Sequence, residues 1–470
     1  MSSDLCIQPS KISKRTIGPL DKRKITTRCQ PCANRRCDGG HPCERCVRTK
    51  KTCVRQQLEQ AQVKFVHASG HMLSYTIPMQ VQKPDNIIYL DHFASFLQNC
   101  HFSKGFAATN ADIVTIIGKY PLLLHIAIAI GALDAGRKGS IRSFGELESP
   151  QQIAFRACGR SIQDLHSAIS MTNSVFRDDV LWCTFLHGLF ELIAESSGHS
   201  FANHMVFGTS QMLLLLDPTT PLSLPTKSLI DAFWILESNR AILYGDNITL
   251  DPDKYQLIST RESWPDTLKK VLMLMTEAST FAKRQVNFAM IAKSSRLFDS
   301  IESIPQKLRS FDPKLDALAL EGLEIEERVL NWQEGSHLER LPMGPFTQLA
   351  VIVHNALLLY HCMNFTFHSC WMTRSIPQLN QSQVDKHVST ILDLSQTLLS
   401  GTCIPAVLLL FPLRMAGAHV LERHAQGKVL GTIRKIRQKG FIVSDIIELD
   451  LQEFWHYKLG KLTKTNEMRV

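Results

Sequence analysis

The chain has 470 residues, 44% of them hydrophobic and 20% charged, with a net charge of +9. That is too long for a lone metal finger and apolar enough to bury a substantial core. Residues 1–55 hold fourteen Lys or Arg against four Asp or Glu, so they carry +10 and the other 415 residues carry −1. A short segment this basic should bind a polyanion, with affinity that falls as salt rises.

Six of the thirteen cysteines fall within the same segment, spaced Cys29-x2-Cys32-x4-Cys37-x5-Cys43-x2-Cys46-x6-Cys53. Each Cys-x2-Cys pair lets two thiolates point at one tetrahedral ion. One zinc takes four ligands, so six sulfurs are best used by two Zn2+ that share two of them. Every coordination position is then filled by sulfur, which makes the metal structural and the module dependent on it for folding. Three disulfides are the alternative, and Met1–Ser10 offers no apolar secretory run to favour them. The seven scattered cysteines, Cys6, Cys100, Cys158, Cys183, Cys362, Cys370 and Cys403, read as reduced small hydrophobes.

The run Cys37-Asp38-Gly39-Gly40-His41-Pro42-Cys43-Glu44-Arg45-Cys46 resembles the C-D-G-x-x-P-C-x-x-C loop of the fungal Zn2Cys6 binuclear cluster transcription factors. The resemblance implies that Cys29 and Cys43 bridge the two ions and that Cys32, Cys37, Cys46 and Cys53 are terminal ligands. It also implies double-stranded DNA with CGG-type elements as the partner, together with coactivators or other transcription machinery. The first half departs from the family, because four residues rather than six separate Cys32 from Cys37. If the shortening lies next to Cys37, Arg35 and Arg36 take the base-reading positions and can reach guanine O6 and N7. If it follows Cys32, that position is lost; an error in the encoded chain at this point is a third reading.

Arg28, Arg48, Lys50 and Lys51 are expected to hold phosphates, and Lys22, Arg23 and Lys24 to serve nuclear import. Residues 1–24 then read as a basic disordered tail and 25–55 as the cluster. Residues 56–85 read as a linker, with room for a short dimerisation element. Leu58, Ala61 and Phe65 fall at heptad spacing but fill fewer than two heptads, short of the three or four that a coiled coil needs, so a homodimer stays open.

From residue 86 to 470 an all-α body is expected. Ile88–Phe102, Gln151–Met171, Asp178–Ala194, Ser228–Tyr244 and Gln348–His361 repeat apolar residues at helical spacing. Leu122–Leu133 is too short to span a bilayer and reads as a buried helix, and no membrane partner is expected. Ser200–Leu214 and Phe411–His419 are similar to two helices of the fungal-specific regulatory domain that follows such clusters. Gly208 and Gly417 are expected to admit close helix neighbours. His125, His204 and His419 are expected to be satisfied core or interface histidines, and Met205, Phe207, Phe233 and Trp234 core residues. Asp445–Trp455 suits either an acidic activation segment or, preferably, an amphipathic helix packed on the body.

Gly131–Ser140 is a poor phosphate loop, with an extra residue on each side of Lys138 and a helical run before it. No nucleophile elbow, zinc-protease or dinucleotide pattern is present, and no enzyme is expected. His67 and His71, at i and i+4 around a Ser-Gly pair, read as incidental. The resulting expectation is a nuclear, zinc-dependent regulator of RNA polymerase II transcription in a fungus, governing a metabolic gene set such as a secondary-metabolite cluster. The rival is a helical co-regulator whose shortened cluster acts through protein partners without reading DNA.

Overall fold

Ser149 and Asn380 each begin a helix by accepting the backbone N–H three residues on, while the side chain there reaches back to the cap N–H. These reciprocal capping boxes satisfy backbone donors that the first turn would otherwise orphan. Ser223 caps a third helix at Thr226, with proline in the first turn. The structure, a computed structural model, describes residues 42–53 and 85–467, apart from 112, 141–147, 171–176, 217–221, 247, 250–263, 299–312, 336–342, 367–368 and 372–373. Cys29, Cys32, Cys37, Arg28, Arg35, Arg36, Lys22, Arg23, Lys24 and the linker positions Leu58, Ala61, Phe65, His67 and His71 lie outside the described residues.

The chain divides into two compact units, Met1–Gln80 and Val81–Val470. In the first, α1 (Glu44–Arg48) is the described helix. The described residues of the second are helical with no strand: α2 (Asp85–Gln98), α3 (Lys104–Ala111), α4 (Ile113–Lys119), α5 (Leu124–Lys138), α6 (Pro150–Ile169), α7 (Asp178–Ala194), α8 (His199–Asn203), α9 (Ser210–Leu214), α10 (Leu224–Tyr244), α11 (Asp266–Phe298), α12 (Pro313–Gly335), α13 (Pro345–Thr366), α14 (Gln381–Gly401), α15 (Leu410–His419), α16 (Arg423–Gln438) and α17 (Ser444–Glu467). The five apolar runs read from the sequence are all helices here, although Cys100 and Phe102, in the first run, lie beyond the end of α2.

α5 packs between α2 and α6, and α7 is buried along nearly its whole length, packed against α5 and α6. α13 is the corresponding centre of the later half, against α11, α14 and α15. It is long and apolar enough to cross a bilayer, yet 78% of its apolar window is buried in the body, as befits a core helix. Leu122–Leu133 is largely buried too, split between a 3-10 turn and α5. Gly131, in the discarded phosphate loop, sits mid-helix where an added Cβ would lie 1.8 Å from the Tyr89 carbonyl oxygen. Backbone cannot yield there as a side chain would. Gly131→Ala is therefore expected to destabilise the unit by about 1–3 kcal/mol, read as a lower thermal midpoint.

The late Pro-Leu, Ala-Gly helix behaves as expected. At Gly417 an added Cβ would meet Leu451 at 2.7 Å, and Trp455 Nε1 donates to the Gly417 carbonyl at 2.8 Å. Gly208 does not: a Cβ there would meet only the ring of His204, on its own helical turn, at 3.5 Å. Met205, Phe233 and Trp234 are in the core, but Phe207 is 73% exposed. Met205 and Phe207 are two positions apart, nearly opposite in any helix, so the burial of one turns the other outward.

The acidic segment is a packing helix. Ile447, Leu451 and Trp455 recur every four residues and are buried. Its acids face basic neighbours, with Glu448 2.7 Å from Arg434, Asp445 2.8 Å from Arg437 and Asp450 3.2 Å from Arg414.

Candidate metal centre

Three of the six clustered cysteines are described, and they converge. Cys43 precedes α1, Cys46 lies within it, and Cys53 returns after the turn that follows. Their Sγ atoms all lie within 4.8 Å of one another. A tetrahedral zinc with Zn–S of about 2.3 Å holds its sulfurs about 3.8 Å apart, so these three suit three corners of one site. Cys43 and Cys46 are buried and Cys53 is half-buried. The Cys43 N–H donates to Cys53 Sγ at 3.4 Å, and the Cys46 N–H donates to Cys43 Sγ at 3.4 Å. Such donors stabilise the thiolate form that a metal requires.

The end of α1 makes that convergence possible. Lys51 N–H donates to the Cys46 carbonyl at 3.0 Å and Lys50 N–H to the Val47 carbonyl at 3.2 Å, a Schellman closure. Lys50 holds φ at 51°, the left-handed region that disfavours a side chain. The strained residue is also one of the expected phosphate contacts, and Arg48, Lys50 and Lys51 are all exposed. Lys50→Gly is expected to stabilise this turn by about 1 kcal/mol while weakening duplex binding and lowering its salt slope by about 0.9, measurable by titration at several salt concentrations.

The cysteines of the helical unit contrast with the cluster. Burial pushes the Cys158 thiol up to about 11 and Cys183 up to about 12, and raises Cys100 and Cys362 further. Thiols held protonated in this way are inert packing groups, as the sequence suggested.

A polar cluster around α7 was not legible beforehand. α8 runs into α9 through a π-helical turn, His204–Thr209. It presents His204 Nε2 to the Thr184 carbonyl at 2.6 Å and Nδ1 to Glu191 Oε1 at 3.8 Å. His204 is thus satisfied. His125 instead lies near the surface with Nδ1 2.7 Å from Asp164 Oδ2, and His419 Nε2 is buried with no hydrogen-bond partner among the described residues. His187 Nε2 lies 3.0 Å from Ser161 Oγ, as a base would from a nucleophile, but Ser161 is fully buried and His187 nearly so. Burial also holds His187 down to about 4. The pair is a packing hydrogen bond without access to substrate.

Glu191 is pushed up to about 7, first by burial and then by the charge of Glu195, and its Oε2 is buried with no hydrogen-bond partner among the described residues. A carboxyl whose folded value is raised favours the fold most below its unfolded value, and that contribution is lost as pH rises through about 7. Glu191→Gln is expected to exceed wild type in urea stability at pH 8 by about 1 kcal/mol, with the gain vanishing by pH 5.

The family described as the fungal specific transcription factor domain matches residues 88–459, nearly all of the helical unit. The chain belongs to that family. No curated protein and no solved structure matches it. Membership makes the chain a fungal transcription regulator, and the buried, well-capped helices described above are its regulatory domain.

Proposed function

We propose that this fungal transcription factor acts in the nucleus as a zinc-dependent, sequence-specific DNA-binding protein, with a binuclear cluster at residues 25–55 joined to the regulatory domain by the segment before residue 86. The observation that carries this reading is the convergence of Cys43, Cys46 and Cys53, set in the most basic part of the chain and followed by a fungal regulatory domain. Cys29, Cys32, Cys37, Cys43, Cys46 and Cys53 would hold two structural Zn2+. Arg28, Arg48, Lys50 and Lys51 would fix the module on phosphates, and Arg35 and Arg36 would read a CGG-type element. Lys22, Arg23 and Lys24 would direct nuclear import. The regulated genes would form a metabolic set, and no catalytic role is assigned.

Metal analysis of the full chain tests the foundation. Two zinc ions per chain are expected, removable by a chelator with little loss of far-UV helical signal, since the regulatory domain supplies nearly all of the helix. A single ion, or none, would mean that the shortened Cys32 to Cys37 interval has broken the binuclear arrangement. The co-regulator reading would then replace this one.

A further inference from the structure

The regulatory domain holds a cavity of about 400 Å³. Its floor is apolar, formed by Phe96 of α2, Ala132 of α5 and Ile193 of α7, all nearly inaccessible to solvent. Its rim is polar, with Arg137 from the end of α5, Arg437 from the end of α16 and Gln151 from the start of α6. Ligand pockets are commonly of this size and combine apolar walls with a few convergent polar groups.

Basic side chains outnumber carboxylates among the described residues at the rim. Among the described lining residues Asp134 is the one carboxylate, beside Arg137 and Arg437. Asp134 is already engaged by Arg137, by Lys138 at 2.7 Å and by His92 at 3.0 Å, so its charge is shared among several donors. Arg437 pairs with Asp445, which stands outside the cavity, and the Arg437 side chain remains 56% exposed. The twenty-residue helix α6 also begins at the rim, at Ser149 and Pro150, and adds the positive end of its dipole.

We infer that this cavity binds a small organic acid, with the apolar body on the Phe96, Ala132 and Ile193 floor and the carboxylate between Arg137 and Arg437. A neutral apolar molecule would gain nothing from the two cations, Arg137 and Lys138, that share the single carboxylate of Asp134, and an inorganic anion would leave the apolar floor unfilled. Binding would tie the turn between α16 and α17, which contributes Gly440 and Ile442, to the ends of α5 and α7. The inference concerns the regulatory domain alone and does not depend on zinc or DNA.

The test is calorimetric titration of the full chain with octanoate, decanoate and cyclohexylacetate, each beside its primary amide. At least one acid is expected to bind at millimolar concentration or below, with its amide about tenfold weaker, the effect of one charge-assisted contact. Arg437→Gln, a change at an exposed side chain, should weaken the acid about tenfold and leave the amide unchanged. Ala194→Trp, which places an indole in the cavity from its wall, should abolish both. Failure of every acid to bind, equal affinity for acid and amide, or acid binding untouched by Arg437→Gln would each overturn the proposal. If Ala194→Trp fails to fold, the Arg437 comparison decides alone.

Discussion

Cys46→Ala is expected to abolish zinc-dependent recognition of duplex DNA and to leave the thermal midpoint of the regulatory domain unchanged. Cys46 is buried, shares a site with Cys43 and Cys53, and lies on the helix whose closing turn returns the chain toward Cys53. Structural zinc contributes on the order of 10–16 kcal/mol to modules of this kind, far more than so short a segment could gain from its own core. On the proposed reading, removing one thiolate would leave an ion without its tetrahedral set and a module without its fold. Affinity for a specific duplex should fall by about a thousandfold or more, to the salt-sensitive level that any basic chain retains. The measurement is a paired one, duplex titration and thermal unfolding on the same variant. A loss of both would point to general misfolding and contradict the assignment of the cysteines to a separate module.

Glu237→Leu should cost the regulatory domain about 3–5 kcal/mol, the largest expected effect in the helical unit. Glu237 and Arg240 lie one turn apart in α10 with side chains wholly out of solvent. The carboxylate accepts from Arg240 Nε at 2.7 Å and Nη2 at 2.9 Å, and from Thr249 N–H and Oγ1–H, each at 3.2 Å. Arg240 also reaches Asp246 at 2.8 Å. Truncating the acid leaves a buried guanidinium with a half-exposed carboxylate as its remaining described acidic partner, which cannot replace a bidentate contact. The double variant Glu237→Leu with Arg240→Met removes both charges and should recover most of the loss. Denaturant unfolding of the three proteins checks this, and a double variant no better than the single one would show that packing around the pair, not its charge, sets the cost.

The fold was legible because its helices announce themselves by apolar spacing; the capping boxes at Ser149 and Asn380 add the points at which two of them start. The buried face of α17 was legible in the same way, since Ile447, Leu451 and Trp455 repeat every turn. Glu237 and Arg240 were not, because a charged pair at i and i+3 looks the same in sequence whether a helix is central or exposed. Phe207 misled for a related reason: hydrophobic character says that a residue gains by burial, while helix geometry decides which of two neighbours obtains it. The π-helical turn at His204–Thr209 leaves no mark in residue type. The cavity joins five separate segments whose convergence only the tertiary packing reveals. For the candidate metal centre the balance is reversed. Spacing alone nominated Cys43, Cys46 and Cys53, and the structure brings their sulfurs together.

The shortened interval between Cys32 and Cys37 is where the account is most exposed, because Arg35 and Arg36 can read bases only if two fewer residues still leave them in the groove. The most direct test is fluorescence anisotropy of the full chain on duplexes carrying CGG repeats and on scrambled duplexes, before and after zinc is withdrawn. A preference for CGG that vanishes with the chelator is the predicted result. Equal, salt-sensitive binding to both duplexes would contradict it, leaving a module that holds phosphates without reading sequence.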